Sequence, residues 1–394
     1  MKIRQKPEDF VVTELSRYQL ASQGPFALYR LVKWDIGTIE AIRNLGHAWK
    51  LSRSAISFGG LKDRHAKTEQ VVSIRGGPDR DFEGSAFRIK FLGRSKDPIT
   101  RASFSGNRFE IVVRALDEIP DLEPVKRFGV ANYFDDQRFG SLRGTDGEFI
   151  GRALVRGENE KALKLAIASP SAEDRKHARE LKVLIRDRWG DWKGLRDALP
   201  QGVERAVAAY LADRPGAFGF AFERLDPDLR ILYVSAYQSW IWNRTLAELV
   251  KALPDVFEVE YAAGRHVFWR ALTPEAHDRL AELSIPLITP SQKYEGPVAE
   301  IVSRILAEEK VEARQFRLKK LEKTFFGKGS RDALIAPAGL KAAAADDDLN
   351  RGKRKMTLWF ELPKGSYATV VLKRLFHAPV VDVPGDEESE GGLG

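Results

Sequence analysis

Hydrophobic and polar residues alternate along this chain in two different rhythms. In the N-terminal third the period is two over short stretches: Val71–Arg75, Phe87–Leu92 and Phe109–Arg114 each read as a strand, the last with Phe109, Ile111 and Val113 set against Glu110 and Arg114. One helix interrupts them, with Ile39, Ile42 and Leu45 at helical spacing, Thr38 as its cap and Gly46 as its stop. From about residue 150 the helical period takes over. Lys161–Ala168 is predicted as one helix, and a second follows Ser171 and Asp174, which resemble a capping box, and carries Leu181, Leu184 and Ile185. A third runs from Ser235 to Leu253, with Tyr237, Trp240, Ile241, Leu246, Leu249 and Val250 on its apolar face. Period two returns at Met356–Leu362, and a helix capped by Ser366 comes next.

That order predicts an α+β protein: a mostly antiparallel sheet domain built from both chain ends, residues 1–149 and 326–382, with a mainly helical domain, 150–325, inserted between them. The length of 394 residues suits two domains. Residues 327–355 are rich in Gly, Lys, Ala and Asp and read as a flexible connector, with Asp346–Asp348 and the cations Arg351, Lys353, Arg354 and Lys355 expected in a solvated loop. The acidic, glycine-rich stretch 383–394 is expected to be disordered.

Composition narrows the function. The 64 Lys and Arg against 56 Asp and Glu leave a net charge of +8, which favours a polyanionic partner. Nucleic acid fits better than a membrane, because no run of about 18 apolar residues exists and the first residues lack the apolar stretch of a secretion signal. The absence of cysteine excludes disulfides, thiolate metal sites and cysteine nucleophiles, including the thiolate route to C5 methylation of pyrimidines. The six histidines, His47, His65, His177, His266, His277 and His377, form no i, i+4 pair, so a metal-free cytoplasmic protein without a small-molecule cofactor is expected.

The most informative segment is Gly59-Gly-Leu-Lys-Asp-Arg-His-Ala-Lys-Thr-Glu-Gln70. It sets one carboxylate, Asp63, among Lys62, Arg64, His65 and Lys67, and nearby cations favour a carboxylate's ionised form. The glycine pair is expected to take φ > 0 and bring the backbone close to a ligand. A second constellation, Ala131-Asn-Tyr-Phe-Asp-Asp-Gln-Arg-Phe-Gly140, combines amides, aromatics and Arg138, the groups that stack a planar base and read its edge, and by itself would also suit a core segment with Tyr133 and Phe139 buried and the polar residues in a turn. A third, Arg4 to Glu14, brackets a short apolar strand with charges and by itself would suit an edge strand.

Taken in order, these segments resemble the TruD family of tRNA pseudouridine synthases. The resemblance rests on Pro7-Glu-Asp-Phe-x-Val-x-Glu14, Gly60–Gln70, Gly106-Asn-Arg-Phe109, Asn132–Gly140, Ser235–Asn243 and Leu362-Pro-x-Gly-Ser-Tyr-Ala-Thr369, and so spans nearly the whole chain. It implies a sheet domain facing a helical domain across a basic cleft, tRNA as partner, and uridine 13 as the target in the bacterial branch; a monomer is expected, although the sequence itself carries no signal of oligomeric state. By position, Asp63 matches the catalytic aspartate and Arg4 its basic partner, often Lys elsewhere; Asn132 and Phe134 match groups that hold the base, and Tyr367 a second aromatic wall. Lys62 and Arg138 are further substrate contacts on this reading, Glu14 is structural, and Ala131 stands where Pro is common. Two other classes remain to be distinguished: an RNA chaperone on the same scaffold, and an RNA methyltransferase, which needs a glycine-rich strand-to-helix turn that 59–62 does not provide.

Overall fold

The structure, a computed structural model, describes residues 1–382 apart from His65, Arg143, Ala172, Glu173, Lys319, Lys320 and Glu322; for Val381 and Asp382 only the main chain is described. The stretch 383–394, with its expected disorder, and His65 of the Asp63 loop lie outside the described residues. Packing divides the chain into two compact units, one made of Met1–Val130 with the described residues from Ile335 onward, the other of Ala131–Leu334.

The first unit is built on an 11-stranded sheet. Its strands from the N-terminal part are β1 (Lys2–Ile3), β2 (Phe10–Ser16), β3 (Phe26–Lys33), β4 (Ile56–Phe58), β5 (Lys67–Arg75), β6 (Phe82–Glu83), β7 (Phe87–Ser95) and β8 (Phe104–Leu116). The main path runs Ala338–Asp346, Arg354–Pro363, β8, β2, β5, β3, β7, β6, and along it every neighbouring pair is antiparallel except β2 with β5. The Arg4–Glu14 motif therefore enters the middle of the sheet rather than its edge, because Phe10 and Val12 face inward while β8 and β5 take up both edges of β2. On one face, Tyr29, Leu31, Val72, Ile74, Phe87 and Ile89 pack against Ala41, Ile42 and Leu45 of the helix α1 (Thr38–Trp49).

Local chemistry corrects several sequence expectations. Gly37, not Thr38, is the N-cap of α1, and the helix passes through Gly46 to end at Lys50 in the left-handed region. Thr38 has other partners: its hydroxyl accepts the Lys62 N–H at 3.0 Å and lies 3.3 Å from the Gln70 side chain. Ile39, placed on the apolar face by its spacing, is exposed. The expected cap Ser366 gives way to Tyr367 at the head of the helix Ala368–Phe376. The supposed connector 327–355 is largely strand, since the small side chains of Ala338–Asp346 pair with Arg354–Pro363 to form a hairpin. Its Asp347 is buried rather than solvated, and with Asp9 and Asp348 it surrounds Arg114 of β8.

The second unit is mainly helical. Its longest helix, Pro227–Lys251, starts eight residues before the expected Ser235 because the Asp226 side chain accepts the Asp228 and Leu229 N–H groups and Pro227 fits the first turn. The Asn132–Phe139 motif packs within this unit, where Tyr133 stacks on His266 with ring centroids 4.5 Å apart. No helix among the described residues is long and apolar enough to cross a membrane.

Candidate active site

The loop joining β4 to β5 carries Asp63, and seven contacts within the first unit hold its shape. The Gly60 carbonyl accepts from Gln70 at 3.1 Å and the Lys62 N–H donates to Thr38, tying the loop to β5 and α1. The Lys62 side chain turns into the protein: Nζ lies 2.7 Å from Glu14 Oε2, donates to Asn107 Oδ1 at 2.9 Å and sits 4.9 Å from the Phe104 ring centroid. Both members of the Lys62–Glu14 pair are almost wholly buried, so this ammonium, expected at the RNA, anchors the loop instead. Gly59 has an ordinary negative-φ backbone rather than φ > 0; it is needed because an added Cβ would lie 2.8 Å from Phe104 and 3.3 Å from Glu14.

The remaining two contacts grip Asp63 itself. Arg4 Nη2 donates to Asp63 Oδ2 at 2.8 Å, with the aspartate side chain 27% exposed and the arginine 11%. Arg4 is in the left-handed region at φ 57°, a conformation that costs a non-glycine residue about 1–3 kcal/mol and persists where surroundings fix it. Here Asp63 holds one side of its guanidinium, and the Phe10 ring lies 4.1 Å from Cζ. From beneath, Lys33 Nζ at the end of β3 donates to the Asp63 main-chain carbonyl. Lys33 has no exposed surface, and burial lowers its ammonium from the usual lysine range to about 8, against the opposing pull of Asp63 and Asp35. The sequence reading missed Lys33; its signal was a cation closing a mostly apolar stretch, Phe26–Val32, that Arg30 interrupts.

Tyr367 follows the strand whose Leu362 and Pro363 pair with Asn107 and Gly106, so topology brings it to the same end of the sheet as the Lys62 anchor. Within the second unit a separate cluster forms around Phe134. Asn243 of the long helix clamps the Phe134 backbone, accepting its N–H at 2.9 Å and donating to its carbonyl at 2.8 Å. Arg331 donates to the Asn132 carbonyl at 2.5 Å and to Asn132 Oδ1 at 2.6 Å, and its Cζ lies 4.3 Å from the Phe134 ring centroid. Arg138 donates to Ser235 and approaches the same ring at 5.4 Å. The Asn132 amide also donates to the Asp332 carbonyl, so both its ends are engaged by the protein. Arg331 likewise escaped the sequence reading, its partner being 199 positions away.

With this geometry in hand, comparison with known proteins is informative. The family model described as tRNA pseudouridine synthase D (TruD) matches residues 1–375. "Probable tRNA pseudouridine synthase D 1" of Methanococcus maripaludis is 33% identical over 399 residues, covering 96% of this chain and 100% of that protein. "tRNA pseudouridine synthase D" of Aquifex aeolicus is 32% identical, with 96% and 99% covered. A crystal structure from Methanosarcina mazei, described as a TruD, superposes with a TM-score of 0.71 at 29% identity over 96% of this chain and 94% of that one. The chain belongs to the TruD family of tRNA pseudouridine synthases.

Proposed function

We propose that this protein isomerises a uridine of tRNA, uridine 13 in the leading assignment, to pseudouridine, with Asp63 as the reacting group. The observation that carries the reading is the Arg4–Asp63 contact at 2.8 Å, made in a loop fixed by seven contacts yet leaving the carboxylate partly open to solvent. The reaction breaks the bond from N1 of uracil to C1′, turns the base, joins C5 to C1′ and releases the C5 proton. It needs no redox partner and no added group. Asp63 begins it either by attacking C1′ to form a sugar ester or by taking the C2′ proton to form a glycal. Both routes use the Asp63 carboxylate, whose Oδ2 the Arg4 guanidinium holds at 2.8 Å.

The target base must leave its stack to be reached, and Phe134 is the surface proposed to receive it. A base there would share the ring with Arg331, and Asn132 acts as the mount for that guanidinium. Affinity for tRNA should come largely from phosphate contacts and fall steeply with salt. Mapping pseudouridine in an unmodified tRNA transcript tests the assignment: the modification should appear at position 13 and vanish when that uridine is replaced by cytidine. Modification at another uridine would overturn the site while leaving the reaction intact.

Arg4 gives a second check. Arg4→Ala should slow single-turnover isomerisation roughly 10- to 100-fold, the loss of one charge-assisted hydrogen bond, while Arg4→Lys should restore most of the rate. Equal rates for all three forms would mean that the pair does not serve the reaction.

A further inference from the structure

We propose that Lys33 is a positioning residue of this reaction, its buried ammonium holding the Asp63 main-chain carbonyl so that the carboxylate is presented to the ribose. The inference rests on the isomerase reading above and adds to it a group that never meets the substrate. A lysine is almost never fully buried unless something pairs with it, because removing an ammonium from water is costly. Lys33 has no exposed surface, and its register on β3, opposite Thr68 of β5 and Phe87 of β7, leaves Nζ directed at the loop that precedes β5. Its bond goes to the backbone of the one residue whose side chain must be aimed. Arg4 holds that residue at Oδ2 and Lys33 at the carbonyl, so the two ends of Asp63 are fixed by cations from separate segments, the stretch between β1 and β2 and the end of β3.

The charged groups that face Lys33 are Asp63 and Asp35, which favour its protonated form, and Arg64 and Lys62, which oppose it; burial outweighs them all and leaves it titrating at about 8. Protonated, the ammonium makes a charge-assisted bond to the carbonyl; above about 8 that assistance is lost. Stability moves the opposite way. The unfolded chain keeps this lysine protonated to about 10.5 while the folded chain releases the proton near 8, so between those values Lys33 makes folding more favourable as pH rises. A fall in rate over that window is then distinguishable from unfolding caused by this group.

The test is the single-turnover release of tritium from tRNA labelled at C5 of uridine, by the full-length protein and its Lys33→Met and Lys33→Arg variants. Rates are taken across about two pH units on either side of the Lys33 transition, with tRNA affinity measured in parallel. The wild-type rate should fall above about pH 8. Lys33→Met should be slower by about 10²-fold, the scale of a displaced reacting group, with unchanged tRNA affinity and no transition near that pH. Lys33→Arg should keep more of the rate and lose the transition, because a guanidinium does not titrate there. A folded Lys33→Met protein with the wild-type rate and profile overturns the proposal. If the Met variant does not fold, a transition that persists unchanged in Lys33→Arg does the same, as does a wild-type rate flat through this range. Absence of release by the wild type overturns the isomerase reading and the proposal with it, whereas wild-type release with indifferent Lys33 variants overturns the proposal alone.

Discussion

Replacing Asp63 by Asn should all but abolish isomerisation, and the size of the loss should identify the route. The change keeps the shape of the side chain and its capacity to accept from Arg4 Nη2, so the loop held by Gln70, Thr38, Lys62 and Lys33 should stay in place. What disappears is the negative charge. If the carboxylate is a general base, the loss should be about 10²–10⁴-fold; if it is a nucleophile that forms a sugar ester, about 10⁶-fold is the appropriate scale. Asp63→Glu should also fail, since an extra methylene moves the oxygens by more than a near-attack geometry tolerates. Rapid-quench rates under single turnover, with tRNA binding measured on the same variants, give both numbers. An Asn variant within tenfold of wild type would remove Asp63 from the chemistry.

Loss of Arg114 should have the largest effect on stability. Its guanidinium donates to both carboxylate oxygens of Asp9, at 2.8 and 2.9 Å, to Asp347 at 3.0 Å and to Asp348 at 2.8 Å, and among these side chains only Asp348 is well exposed. Arg114→Ala would leave the Asp9 and Asp347 charges buried without their cation, a defect of about 3–5 kcal/mol, or roughly 10 °C in the melting of this unit. The pH dependence carries the sign. Burial pushes the Asp347 carboxyl up, but the Ala115 and Leu349 N–H groups, Asn350 and Arg114 outweigh it and hold it at about 2. Its stabilising contribution is therefore complete above the ordinary aspartate value and is lost as pH falls towards 2. In Arg114→Ala the deficit should shrink on acidification, as the stranded carboxylates take up protons. A melting shift of only a degree or two at neutral pH would contradict this account of the cluster. The cluster also serves the site: Asp9 lies in the turn after Arg4, and Asn350 binds Gln5, so the same network sets the path of the chain that presents Arg4.

Those two clusters show what the sequence could and could not reveal. The α+β class was legible because period-two runs such as Phe109–Val113 and helical runs such as Leu246–Val250 are local, and local patterns survive folding. The strands proved longer than read, β8 at both ends (Phe104–Leu116), β5 at its start (Lys67) and β7 at its end (Ser95), since pairing recruits residues that carry no periodic signal of their own. The family motifs led to the Asp63 loop and the Phe134 segment without any knowledge of register. Lys33 and Arg331 were illegible for a common reason: each is a cation whose meaning depends on a partner far along the chain, 30 positions away for Lys33 and 199 for Arg331. Asp347 misled because an acidic run followed by basic residues normally describes solvent-exposed chain, and only the pairing of Arg354–Pro363 with β8 brings it to Arg114. Lys62 looked like a substrate contact for the same reason, its buried partner Glu14 being named by the motif but not its position.

The most direct measurement is the release of tritium from tRNA labelled at C5 of uridine, quantified against pseudouridine formed in the same RNA. This account predicts one tritium released per pseudouridine with the wild-type protein and none with Asp63→Asn, although the variant binds the tRNA as tightly. Release that persists without the Asp63 carboxylate, or tight tRNA binding by the wild type with no release from any tRNA, would contradict it.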